Sequence, residues 1–241
     1  MRRLLLLALV GACGGSSPPP AKPEPVVSPT PITRVPVEDD ENEDGVSFVG
    51  SRGRMDPAAI TAGIKPHEGA LVACYMENVG TRRWLGGAVT LHWDIQGDGT
   101  VTGVRLAEST LGNWTIEKCL LDVARQATFA KPTGGDTDFQ LPLEFAAKGS
   151  SKPWDEDQAL RAVGGQVAKL DACAKGKVAK PSEAVVTLYV GPGGKAQSVG
   201  FSGGAFIDDA WADCAEKAAL SWRLPDPRGS IAKLNVRYPM P

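Results

Sequence analysis

Two hydrophobic rhythms alternate along the second two-thirds of the chain. Val89, Leu91, Trp93 and Ile95 alternate with Thr90, His92 and Asp94, the period of a strand with one face on a core. Gly97-Asp98-Gly99 predicts a turn, and Val101 to Leu106 the returning strand of a hairpin. Ile116, Cys119, Leu120, Val123 and Ala127 then recur at helical spacing, with Asn113 placed to cap the helix. After the Pro132-Thr133-Gly134-Gly135 break, Phe139, Leu141, Leu143 and Phe145 line one face of a last strand. Ahead of the hairpin, Pro66 suits the first turn of a helix to about Glu77, with Ala70, Leu71 and Cys74 on one face.

The same order then returns. Leu160, Val163, Val167 and Leu170 mark a helix, and Gly191-Pro192-Gly193-Gly194 separates the strands Val186 to Val190 and Ala196 to Phe201. Trp211, Cys214, Ala215, Ala218 and Trp222 stripe a second helix, and Ala232, Leu234, Val236 and Tyr238 a final strand. Gly99, Val104, Cys119, Phe129 and Pro132 each have a counterpart 95 residues on, at Gly194, Val199, Cys214, Leu224 and Pro227. Upstream, Val89-Thr90-Leu91 matches Val186-Thr187-Leu188 at a spacing of 97. The expected fold is α+β: two tandem repeats, residues 56–148 and 153–241, each helix, β-hairpin, helix and strand around a small antiparallel sheet.

The N-terminus follows neither rhythm. Arg2 and Arg3 precede a short apolar run, Leu4 to Val10, too short to span a bilayer, where roughly 20 residues are needed. Val10-Gly11-Ala12-Cys13 resembles the lipobox of bacterial lipoproteins. The resemblance implies a signal peptide over residues 1–12 and an acylated Cys13, and Gly14 after it implies sorting to the outer membrane, facing the periplasm. Residues 13–55 read as a tether, rich in Pro, Gly and Ser and then acidic from Glu38 to Asp44. With a net charge of −2 the chain lacks the basic footprint of a nucleic-acid binder.

Of five cysteines, Cys13 leaves two per repeat at matching places. In an exported chain that pattern implies disulfides Cys74–Cys119 and Cys173–Cys214, rather than a metal site or free thiols. Catalytic residues, metal ligands and cofactor motifs are not expected. Asp94 to Gly99 follows a calcium loop only until its twelfth position, Arg105, where a glutamate is required. His67 opens a helix and His92 lies on the polar face of a strand, so both are expected at the surface.

Ala73-Cys74-Tyr75, Gly87, Val89, Trp93, Ile95, Gly99-Thr100-Val101, Ser109 to Gly112, Cys119 and Phe129 through Phe145 together resemble the AgmX/PglI C-terminal domain. This is a TonB C-terminal-like module of Gram-negative envelope and gliding-motility proteins. The second repeat is a divergent match, lacking the Ser-Thr-Leu segment. The resemblance implies a protein-interaction module and not a catalyst, with unidentified envelope proteins as partners. An envelope enzyme such as a cell-wall hydrolase is the alternative. In the last strand, Ser230 to Tyr238 carries Lys233, Asn235 and Arg237 outward with no internal proline. At a sheet edge it would accept an added peptide strand.

Overall fold

The alternating stretch around Trp93 becomes the centre of a three-stranded sheet. In the computed structural model, which describes residues 53–239, β1 (Gly87–Ile95) lies between β2 (Val101–Ser109) and β3 (Thr137–Phe145), antiparallel to both. Val89, Leu91 and Trp93 are fully buried. They face the helical layer, where the Trp93 indole donates to the Ala124 carbonyl (3.0 Å) at the end of α3 (Trp114–Ala124). Asn113 caps α3 by accepting from the Ile116 amide, as its short polar side chain suggests.

The first helix begins later than expected. Lys65–His67 forms a 3-10 turn and α2 runs from Glu68 to Asn78. An additional helix, α1 (Pro57–Ile64), precedes it, with Asp56 as its cap and Pro57 in its first turn.

The second sheet has the order β4-β7-β5-β6. β5 (Ala184–Val190) pairs antiparallel with β6 (Ala196–Ser202) and β7 (Ala232–Tyr238). The two-residue β4 (Lys152–Pro153) adds in parallel beyond β7. This sheet is therefore mixed, and the expectation of a purely antiparallel one is corrected. The linker between the halves supplies the extra strand.

The helix expected through Leu160, Val163, Val167 and Leu170 is broken. α4 (Glu156–Val163) ends at Gly164 (φ +40°), and Gly164–Cys173 continues as 3-10 turns. Two successive glycines, Gly164 and Gly165, remove the side chains that favour an α-helix over other conformations. Val163, Val167 and Leu170 still reach the core beside α5 (Asp209–Leu220). Each half is stapled once. Cys74–Cys119 joins α2 to α3, and Cys173–Cys214 joins the end of the 3-10 segment to α5, both with Cα atoms 5.6 Å apart.

Ladder register relates the two sheets. Leu91 pairs with Leu106 and Leu141, and Val186, 95 residues on, pairs with Phe201 and Val236, each also 95 on. Trp93 and Leu188 correspond in the same way, and both hairpins bulge at the same place, Asp94/Ile95 and Tyr189/Val190. The 97-residue match of Val89-Thr90-Leu91 is thus out of register. The described residues all belong to one compact unit, Asp40–Pro241.

Candidate functional site

The halves meet along a polar seam that begins with a residue hidden in the pattern of α3. Glu117 is fully buried. Its carboxylate crosses to the other half, where Oε2 accepts from the Phe201 amide on the edge of β6 (2.9 Å). Oε1 accepts from the Ser109 hydroxyl (2.6 Å) and the Gly112 amide (3.1 Å). Burial pushes the Glu117 pKa up, against the pull of those three donors. Gly200 is what lets the carboxylate in, since a Cβ there would lie 2.3 Å from Oε2.

Around this carboxylate, loops of the first half seal the helix-free face of the second sheet. Asn113 donates to the Ser198 hydroxyl (2.8 Å), which donates to the Gly112 carbonyl (2.7 Å). Thr187 donates to the Ser109 carbonyl (3.2 Å) and Tyr189 to the Gly86 carbonyl (3.0 Å). The Tyr189 ring packs on Trp84 at 4.6 Å, and burial pushes its phenol pKa up to about 12. Ion pairs Lys118–Asp213 (2.6 Å) and Arg125–Asp209 (2.8 Å) close the rim between α3 and α5.

The corresponding face of the first sheet carries a different chemistry. His92, expected at the surface, is only 2% exposed. Arg105 from β2 and Gln140 from β3 stand opposite it in register and close over the ring with Asp94. Arg105 Nη1 donates to Asp94 Oδ2 (2.5 Å), and Nη2 lies 2.7 Å from His92 Nε2. Asp94 Oδ1 is 3.1 Å and Asp138 Oδ2 3.7 Å from the same nitrogen. Arg105 Nε is buried without a hydrogen-bond partner. An open polar cleft beyond the cluster is lined by Asp94, Gln96, Thr102, Asp136 and Asp138. The guanidinium offsets the charge of Asp94, with which it is paired. Among the described residues, no group of three or more His, Cys, Asp or Glu side chains is arranged to hold a metal.

The three residues assigned to a docking strand are not equally placed. Lys152 donates its amide to the Ile231 carbonyl and Trp154 to the Lys233 carbonyl, both at 2.8 Å. The chain's own linker therefore occupies the first part of the edge expected to be open. Lys233 does not point to solvent. Its ammonium donates to the Gly86 carbonyl (3.2 Å) and stands 5.1 Å over the Tyr189 ring, and burial lowers its pKa. Asn235 and Arg237 are exposed. Because alternate residues of a strand direct their backbone to the same side, these two continue the edge that Ile231 and Lys233 begin.

Cys74, Cys119, Cys173 and Cys214 are joined as the repeat implied. Cys13, the residue expected to be lipidated, lies outside the described residues, and among those described no helix is long and apolar enough to cross a membrane. Glu117 escaped the sequence reading because it falls beside the apolar stripe of α3, where a charged residue ordinarily faces water. Gly200 in a strand was the available signal, since a strand glycine marks a close approach. No family model, no curated protein and no solved structure matches this chain.

Proposed function

We propose that this chain is a non-catalytic adaptor of the bacterial envelope, lipid-anchored through Cys13 on the periplasmic side of the outer membrane. Its folded part is read as two copies of one TonB C-terminal-like unit, the second divergent. The observation that carries this reading is the common 95-residue register of the two sheets, with one disulfide per half at corresponding helices. A duplicated, stapled unit suits an oxidising compartment, where a small core gains from cross-links.

The contact surface for an envelope protein is the remaining edge of β7 at Asn235 and Arg237, where an extended peptide with an acidic residue would add as a strand. Lys152 and Trp154 already bond this edge one step earlier, which supports its competence as a template. The test is a pull-down of the intact protein from its own envelope, paired with membrane fractionation. Cys13→Ser should release the protein from membranes. Asn235→Pro, which removes an edge-facing donor and leaves the β5 ladder intact, should lose the main partners while keeping its thermal stability. Unchanged fractionation would refute the anchor, and a full partner set with the proline variant would refute the edge.

A further inference from the structure

The chain enters its first half along the outer edge of β3. Arg54 and Thr133 exchange both backbone hydrogen bonds at 2.8 Å, and the Gly53 amide donates to the Asp136 carbonyl at 2.9 Å. The bridge is antiparallel. Gly53 permits the approach, because a Cβ there would lie 2.2 Å from the Gly135 carbonyl oxygen. Alternate residues of a strand direct their backbone to the same side, so Asp138, Gln140 and Pro142 continue the edge that Asp136 begins. Pro142 costs the β1 ladder nothing there, since the donor it lacks would face outward. Among the described residues β3 pairs with β1 alone.

That edge is also less well covered than its counterpart. Leu141 and Leu143, on the helix-facing side, are only half-buried. Val236 and Tyr238, 95 residues on, are buried. Upstream of Gly53 the sequence reads Val46-Ser47-Phe48-Val49-Gly50-Ser51-Arg52. It holds no proline, and β-branched and aromatic residues suit a strand. Carried on antiparallel from Gly53 opposite Asp136, Ser51 falls opposite Asp138, Val49 opposite Gln140 and Ser47 opposite Pro142. Facing residues share a side of the sheet. Phe48 therefore falls beside Leu141 and Val46 beside Leu143, while both serines join the polar face. A slip of one residue would reverse this and set the serines against the leucines.

We propose that residues 46–51 are a fourth strand of the first sheet, paired antiparallel with the outer edge of β3. The occupant of this edge is thus the chain's own tether, in the register that Gly53 sets. The second half uses the same device, since Lys152 and Trp154, just ahead of α4, bond the edge of β7. The added strand closes β3 to other chains. The acidic run that ends at Asp44 then leaves the sheet beside Phe145, at the far end from Gly53. This inference is independent of the membrane anchor and of the β7 edge.

The test is amide hydrogen exchange on the intact chain, read residue by residue by NMR. The Asp138 and Gln140 amides face the outer edge and should be protected, because edge amides without a partner exchange freely. Phe48→Asp places a charge against Leu141 and should cut their protection about tenfold, while Leu91 and Trp93 in the centre of the sheet keep theirs. Val49→Lys faces the polar side and should leave the protection in place. The fourth strand is overturned if Asp138 and Gln140 exchange freely in the parent, or if Phe48→Asp leaves them protected. Equal loss in Val49→Lys would overturn the register. Protection that disappears on dilution would overturn the proposal in favour of a second copy of the chain on this edge.

Discussion

The helix-free faces of the two sheets share one ladder geometry and have opposite fates. In the second sheet Thr187, Tyr189, Ser198 and Gly200 lie under loops of the first half. In the first sheet the positions 95 residues earlier are His92, Asp94, Gly103 and Arg105, where Arg105 closes on Asp94 and His92 of the same sheet. Gly200 admits a carboxylate from outside, whereas Arg105 brings its own charge and offsets that of Asp94. A strand position does not determine burial by its parity alone. The same pleat becomes an interface when it offers small and hydroxyl side chains, and a self-contained polar surface when it offers a charged cluster.

The largest effect should come from the residue that joins the two faces. Glu117→Val leaves the Phe201 amide, the Gly112 amide and the Ser109 hydroxyl without an acceptor in a buried place. Unpaired buried groups cost about 1–3 kcal/mol each, so a loss of about 4 kcal/mol is expected in urea unfolding. A loss below about 1 kcal/mol would mean that the seam does not depend on this carboxylate.

The disulfides sharpen the comparison because they should not distinguish the halves. The bridged cysteines are 45 and 41 residues apart. Loop-closure entropy changes little over that difference. Replacing either pair with alanines should cost about 3 kcal/mol, read as equal drops in denaturation midpoint. A markedly larger cost in one half would show that its helices rely on the staple for more than loop closure.

A smaller effect is the pH dependence of Glu117. Its folded pKa is raised above the ordinary value of 4.5, so between the two values the folded state holds more protons than the unfolded one. The contribution of this group is fully present below the unfolded value and is lost as pH rises through the folded one. Glu117→Gln should remove that downward component, making the stability profile above pH ~4.5 rise more or fall less than in the parent. Identical slopes in the two proteins would contradict the raised value. Smallest of all is the rim. Lys118→Ala breaks a partly exposed pair with Asp213 and should cost about 0.5 kcal/mol, reduced further by salt.

Much of this fold is written in local pattern. The alternation of β1, the cap at Asn113, the hairpin turns and the cysteine pairing each depend on near neighbours or on matched spacings along the chain. Features that depend on distant chain were not legible. Lys152 and Pro153 carry no strand periodicity, and become β4 only because β7 offers an edge. Lys233 alternates as an outward residue, yet the Gly86 carbonyl of the other half and the Tyr189 ring of its own sheet capture it. His92 reads as a surface residue until Arg105 and Gln140 are brought into register beside it. Asp56-Pro57 is a helix start that local rules could have found, since an aspartate cap before a first-turn proline is the expected signature.

Amide hydrogen exchange on the intact protein, comparing the parent with Glu117→Gln, tests the seam most directly. Phe201 sits on an edge strand, where an amide without a partner exchanges freely. The account predicts that its amide is protected in the parent and loses at least tenfold protection in the variant. Ser202 and Gly203 should follow, while Leu91 and Trp93 in the first sheet keep theirs. Equal loss in both sheets, or a Phe201 amide already unprotected in the parent, would contradict it.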